Sequence, residues 1–212
     1  MADTLVIIGA GGHGRVCADV ARAAGFDVVG FCDTAKSRGE EVNGIRVLGA
    51  GLADLAAAGG GKRPAVFVAI GDNARRLALL DEAGTLGFSR ATLIHPSAVL
   101  SPSAQIGEGT VVVAGAVVNA NARIGRGCIV NTAASLDHDN DLAEGVQICP
   151  GVHAAGNVTF GEQAFIGTGA AIIPNIRIGA RAVVAAGAAV ARDVGDDQTV
   201  AGVPAVPVTA AR

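Results

Sequence analysis

The sequence predicts two folds in series: an α/β half-Rossmann unit over residues 1–90, then an all-β parallel β-helix over residues 91–212. Three observations carry this. From Ile94 to Val190 every sixth residue is apolar. The residues before it alternate β-branched apolar runs with Ala- and Leu-rich helical stretches. A glycine-rich turn, Gly9-Ala10-Gly11-Gly12-His13-Gly14, joins the first run to the first helix.

The continuous apolar run at 4–10 reads as a buried parallel strand. A helix follows the glycine turn to about Ala24, and Gly25 ends it. DVVGFCD, 27–33, is a second strand with Asp33 at its end. Residues 34–51 read as a loop with an extended piece near Ile45–Leu48. Leu52–Ala58 is a short helix and Gly59–Gly61 a break. PAVFVAIGD, 64–72, is the third strand, and a helix runs from Asn73 to about Gly87, capped by Asp72 or Asn73. Only three strands are expected, half of a full dinucleotide fold. A linker, Phe88–Leu93, leads out.

The glycine turn fits G-x-G-x-x-G between a strand and a helix. Such glycines let backbone N–H groups approach a phosphate, and the helix N-terminus attracts its charge. Asp33 stands where a carboxylate takes ribose hydroxyls. Gly71 and Asn73 lie in the turn after the third strand, at the sheet edge where ligands bind in open α/β folds. His13 touches a phosphate or sugar, or caps the turn. Half a dinucleotide fold suits a nucleoside diphosphate better than NAD.

In the second half the axial series runs from Ile94 and Leu100 to Val184 and Val190, with Ala154 its one small member. Four residues after each stands a second series, mostly small or β-branched, ending at Val194, with Asn140 its one strongly polar member. Neither a helix nor a flat sheet has a six-residue period; a parallel β-helix does. Three hexads make one triangular coil, so residues eighteen apart become vertical neighbours. Coils stack at about 4.8 Å, giving a prism roughly 25–30 Å long. After Val194 the prolines of the tail are expected to stop regular structure, and the tail to fold back as a cap on the last coil.

One stretch breaks the pattern. Asp137-His138-Asp139-Asn140-Asp141 is five polar residues in a row, and the stacking rule puts Gly156 above His138 and Ala154 above Leu136. A histidine carries protons near pH 7. Asp137 or Asp139 orients it, and a glycine one coil away offers an N–H to a developing oxyanion. His95 reads as structural and His153 as a flank residue; three converging zinc histidines are not expected.

Composition bounds the rest. Half of the 212 residues are apolar, 3% are aromatic and the net charge is −3. That balance gives no electrostatic case for nucleic acid. The four cysteines lack metal or redox spacing and read as buried thiols. No signal peptide is recognised, and no apolar run reaches the ~18 residues of a membrane span. A cytoplasmic protein is expected.

Together VIIGAGGHGR, FCD, AIGDN, HPSA, the hexads, NTAASLDHD, AGNVTFGEQAFIGTGA and VAGVPA cover nearly the whole chain. The sequence resembles the left-handed β-helix acyltransferases that carry an N-terminal nucleotide-sugar-binding domain. These include bacterial nucleotide-linked amino-sugar N-acetyltransferases and sialic acid O-acetyltransferases. The resemblance implies the left hand, a homotrimer, acetyl-CoA between neighbouring prisms and no metal. It implies His138 as general base, Asp139 as its acidic partner (often Glu in the family), Asn131 near the acceptor amine and Gly156 as donor to the thioester oxygen. Gln147 stands where some relatives have a second histidine, and Thr168 and Ala186 match a coenzyme-lining row. Gly11, Gly12, His13, Asp33, Gly71 and Asn73 match nucleotide contacts. The acceptor implied is a UDP- or GDP-linked 4-amino-4,6-dideoxy sugar destined for a surface glycan such as lipopolysaccharide. Sugar O-acetylation and a non-catalytic sugar-nucleotide-binding role are the alternatives.

Overall fold

The computed structural model describes residues 3–57 and 63–208. The chain divides into two compact units, Met1–Pro96 and Ser97–Arg212. In the first, β1 (Thr4–Ile8), α1 (Gly12–Ala23), β2 (Asp27–Cys32), β3 (Glu41–Val42), β4 (Ile45–Gly49), α2 (Leu52–Ala57), β5 (Ala65–Val68), α3 (Asn73–Thr85) and β6 (Leu93–Ile94) follow in order. The expected break at Gly59–Gly61 lies outside the described residues.

The first sheet has five strands in the order β3-β4-β2-β1-β5. The three-strand expectation is therefore corrected. Residues 41–49 form a hairpin closed by Asn43 and Gly44, both at positive φ (49° and 72°). Asn-Gly between alternating strands favours this type I′ geometry, whose twist matches the flanking strands. β4 then pairs parallel with β2. Val6, Ile8, Val66, Val68, Leu52 and Leu80 pack in one core, so the strands carry apolar runs because both sheet faces are covered. Gly14 is glycine for a steric reason: a Cβ there would run into the Gly9 carbonyl oxygen, so only Gly lets α1 start so close to β1. Asp72 caps α3, its carboxylate accepting from Arg75 N at 2.7 Å.

In the second unit the strands from Val99–Leu100 to Ala189–Val190 are each two residues long, and up to Ala171–Ile172 each pairs in parallel with the strand eighteen residues on. Val117, Ser135, His153, Ala171 and Ala189 stack on one face. Gln105, Arg123, Asp141, Thr159 and Arg177 stack on the second. Val111, Ile129, Gln147, Phe165 and Val183 stack on the third. From Val112 to Val190 the axial residues are all buried.

A third position in the hexad completes the corner. From Ile106 to Val184, three residues after each axial residue the backbone is left-handed, as at Gly115, Asn121, Asp139, Gly151, Asn157 and Asn175. Gly, Asn and Asp recur there because they adopt this conformation at the least steric cost. Ala133, Gln163 and Arg181 do so without that advantage.

The eighteen-residue register ends after Ala171 and Ala189. Ile178 then pairs with Val194 and Val183 with Thr199, each sixteen residues on. Val194 is thus axial and not the small-slot residue expected, because the corner after Val190 is two residues short. The tail folds back as expected, but its prolines do not stop pairing. Thr199–Ala201 continues the third face and Val206–Pro207 returns antiparallel to it. Pro207 is tolerated there because the outermost strand leaves one side of its backbone unpaired.

Two polar side chains are fully buried in the small slots. Thr110 accepts from Cys128 N at 2.9 Å and donates to Gly125 O at 2.8 Å. Asn140 accepts from Val158 N at 3.0 Å and donates to Asp137 O and Ala155 O at 2.8 and 3.1 Å. Each staples one coil to the next. Neighbouring hexads carry Val in this slot, so Asn140→Val keeps the shape and orphans the Val158 amide. A loss of about 1–3 kcal/mol is expected by chemical denaturation, the cost of an unsatisfied buried donor.

Candidate active site

The polar corner 137–140 is built as the stacking rule requires. Leu136 pairs with Ala154, and Asn157 N donates to His138 O at 2.9 Å. The His138 ring lies against Gly156, one coil above. A Cβ on Gly156 would collide with ring atoms Cε1 and Nε2, so the ring holds this position only because residue 156 is glycine. Among the described residues the Gly156 amide has no acceptor, while its carbonyl accepts from Asn175 N at 3.1 Å. A buried N–H with nothing to donate to therefore sits beside an imidazole.

His138 Nδ1 is 2.8 Å from Asp139 Oδ2. A carboxylate oxygen only accepts, so Nδ1 carries the proton and Nε2 is left with its lone pair. The hydrogen bond that His138 donates to Asp139 raises the His138 pKa above its ordinary value of 6.5, and the charges of Asp137 and Asp139 add to this. The His138 and Asn121 hydrogen bonds hold Asp139 below the usual carboxylate range. Asp137 plays a different part: its Oδ1 accepts from the His138 backbone N at 2.8 Å. The open choice between Asp137 and Asp139 thus resolves to Asp139 as the ring's partner. Asn140 faces inward and touches only backbone.

Asn131, Gln147, Thr168 and Ala186 lie on the third face or the corner that follows it, away from His138 within one chain. Asn131 Oδ1 is occupied by Thr132 N at 2.8 Å. Gln147 Oε1 is buried without a partner, and its amide nitrogen meets only Cys149 Sγ at 3.8 Å. Thr168 and Ala186 are exposed vertical neighbours, with Gly187 N donating to Thr168 O at 2.8 Å. His153 Nδ1 meets Ser135 Oγ across coils at 2.8 Å. Among the described residues no group of His, Cys, Asp or Glu is placed to hold a metal ion.

In the first unit Gly11, Gly12 and Gly71 are exposed and a Cβ on Gly11 or Gly71 would meet nothing. That leaves the start of α1 open to an anion. Three other candidates have protein partners. Asp33 accepts from Ala10 N and Ala35 N, each at 2.7 Å, so it staples the glycine turn. Asn73 Oδ1 accepts from Arg76 Nη2 at 2.8 Å, and Arg76, 1% exposed, also donates to Ile70 O at 2.9 Å. His13 lies 3.5 Å from Cys17 Sγ. Burial, with the Arg76 charge, lowers its pKa to about 4. It is neutral at neutral pH and offers a phosphate no charge.

Sequence reading missed two concavities. A cleft of about 450 Å³ is lined by Asp33, Thr34, Gly51, Asp54, Ile70 and Arg75, among others. Its small residues, Ala50 and Gly51, were a readable signal for close ligand approach. A polar groove of about 380 Å³ runs beside Asp139, lined by Gln105, Asn121, Arg123, Asp141, Asn157 and Thr159. Those residues are far apart in sequence and met only through the eighteen-residue register.

The fold and this corner define the class: a left-handed parallel β-helix acyltransferase that follows an α/β unit in the sequence. Residues 4–83 match the PglD N-terminal domain family. The acetyltransferase domain of PglB from Neisseria gonorrhoeae FA1090, solved with acetyl coenzyme A, is 42% identical at a TM-score of 0.92, covering 98% of this chain and 100% of that one. A His-to-Asn variant of perosamine N-acetyltransferase from Caulobacter crescentus, solved with CoA and GDP-perosamine, is 42% identical at a TM-score of 0.93, covering 99% and 98%. UDP-N-acetylbacillosamine N-acetyltransferase from Bacillus subtilis (strain 168) is 47% identical over 47 residues, so the match spans only 22% of that curated relative. The chain belongs to the family of nucleotide-amino-sugar N-acetyltransferases that join a PglD-type N-terminal domain to a left-handed β-helix.

Substitution of Gly156 tests the corner directly. Gly156→Ala forces the His138 ring to move, and turnover should fall about 10²-fold, the scale of a 1 Å misplacement. Circular dichroism and thermal melting check that the prism survives.

Proposed function

We propose that the chain transfers the acetyl group of acetyl-CoA to the amine of a UDP- or GDP-linked 4-amino-4,6-dideoxy sugar, with His138 as general base, in bacterial surface glycan biosynthesis. In this reading residues 1–90 bind the sugar nucleotide and residues 91–212 carry the chemistry. The observation that carries it is the His138 Nδ1–Asp139 Oδ2 contact, which in the neutral ring leaves the lone pair on Nε2, beside the Gly156 amide. The relatives solved with acetyl coenzyme A and with GDP-perosamine support the two substrates.

The steps follow from these groups. Asp139 accepts from Nδ1–H and holds the ring in one tautomer. The amine attacks the thioester carbonyl, and Nε2 takes the proton that nitrogen must lose. The tetrahedral oxyanion accepts from the Gly156 N–H. The C–S bond breaks, and the CoA thiolate takes a proton from the imidazolium or from solvent. Asn131 lies near the acceptor amine, and Gln147, Thr168 and Ala186 contact the coenzyme. These four belong to a different part of the prism from His138, so a complete site draws them from a second copy. This supports a homotrimer.

CoA release is measured with UDP- and GDP-linked 4-amino sugars, a free amino sugar and sialic acid. Rapid release is expected with one nucleotide-linked amine; release with sialic acid alone would replace this reading with O-acetylation. His138→Ala should lose about 10²–10⁴-fold in kcat. A variant at full rate would remove His138 as base.

The pH profile gives a second check. The base works when neutral, so kcat/KM is high above the His138 pKa and falls as pH drops through it. The raised pKa puts this acid limb above the ordinary 6.5. Asp139→Asn removes the cause of the shift, so its limb should move to lower pH, with a reduced plateau.

A further inference from the structure

The acid–base pair stands on a shelf. His138 and Asp139 are both exposed, and an exposed side chain samples several rotamers unless something holds it. Asn121 lies eighteen residues before Asp139, directly beneath it at the same corner, and its Nδ2 donates to Asp139 Oδ1 at 3.1 Å. The other oxygen, Oδ2, is the one that accepts from His138 Nδ1. The two Asp139 oxygens are therefore divided between a support below and the imidazole beside.

The support is itself anchored. Asn121 N donates to Ser103 Oγ at 2.9 Å, and Ser103 Oγ meets Ser101 Oγ at 3.0 Å. Asp139 N donates to Ala120 O at 2.9 Å. The neighbouring column repeats the device. Asn119 Nδ2 donates to Asp137 Oδ1 at 3.2 Å, and the same oxygen accepts from the His138 backbone N. Two asparagines of the lower coil thus hold the two aspartates that flank His138.

Both Asn121 and Asp139 occupy the left-handed corner position, at φ 60° and 58°. Asparagine tolerates that conformation and supplies a donor; glycine, common elsewhere in the corners, supplies none. We propose that Asn121 is a positioning residue for catalysis, fixing Asp139 so that its free oxygen holds the His138 ring in the reactive tautomer and orientation. Asn119 does the same, more weakly, for the His138 backbone through Asp137. This rests on His138 being the base.

The charged groups around the ring are Asp137 and Asp139 on its own corner and Arg123, whose charge acts on Asp139 from the strand below. Gly156 and Ala155 above contribute none. Loss of the Asn121 amide loosens Asp139 and weakens its hold on the imidazole. A carboxylate at 121 adds negative charge beneath Asp139.

The test uses the full-length enzyme with acetyl-CoA and the acceptor that supports turnover. Asn121→Gly keeps the left-handed corner and deletes the donor. Its kcat should fall about 10-fold, short of the 10²–10⁴-fold of removing the base, with KM for both substrates little changed and the acid limb moved to lower pH. Asn121→Asp should move the limb the opposite way, to higher pH. Nitrogen NMR of the His138 ring should show a less dominant Nδ1–H tautomer in Asn121→Gly. Wild-type kcat and an unmoved limb in Asn121→Gly would overturn the proposal. So would a loss confined to KM, which would make Asn121 a contact in the polar groove. Thermal melts of both variants separate unfolding from mispositioning. If His138→Ala is inactive while Asn121→Gly behaves as wild type, the base assignment stands and only this inference fails.

Discussion

Parallel pairing at an interval of eighteen residues is the constraint on which the second unit depends. A two-residue strand has too few hydrogen bonds and too little buried surface to persist alone. Each coil is held only by the coils above and below, as in other solenoids. The axial residues supply the apolar contact, and the buried Thr110 and Asn140 tie adjacent coils where a small side chain would otherwise sit. Because the interval is fixed, a residue's vertical neighbour is fixed as well. That is how Gly156 comes to lie against the His138 ring and Asn121 beneath Asp139.

The corners turn this stacking into chemistry. From Ile106 to Val184 a left-handed residue at the third place after each axial position turns the chain, and Asp139 occupies one such place. At most corners that residue is a Gly or Asn. Here it is a carboxylate next to a histidine. The pair is solvated, so its value is orientation and proton affinity, not stability. The buried Gly156 amide has the opposite character. Among the described residues its N–H is unclaimed, so in the proposed mechanism a developing oxyanion would meet a donor already in place.

The first unit uses other means for a related end. Gly14 lets α1 begin at the end of β1, and Asp33 holds the turn by accepting from Ala10 N and Ala35 N. The open glycines present the helix N-terminus outward. Arg76 fixes the turn after β5 by donating to its carbonyls, and His13 stays neutral beneath. Residues that look like ligand contacts in the sequence divide into those that leave space, such as Gly11, and those that build the wall, such as Asp33 and Asn73.

The sequence by itself determined the two-part architecture, the axis of the prism and the vertical pairing of His138 with Gly156. A triangular interior admits only apolar residues at a period of six, and that period is visible without coordinates. Some readable signals were passed over: Asn43-Gly44 marks a hairpin, and Gly, Asn and Asp recur at most corners. The shortened last coil was not readable, because Val194 fits either apolar slot until its partner is known. Tertiary structure alone decided which aspartate orients His138, that Asn140 faces inward, and that Asp33 and Asn73 are held by their own chain. Those outcomes depend on side-chain direction and, for Asp33 and Asn140, also on the distant amides of Ala10 and Val158, which local pattern does not encode.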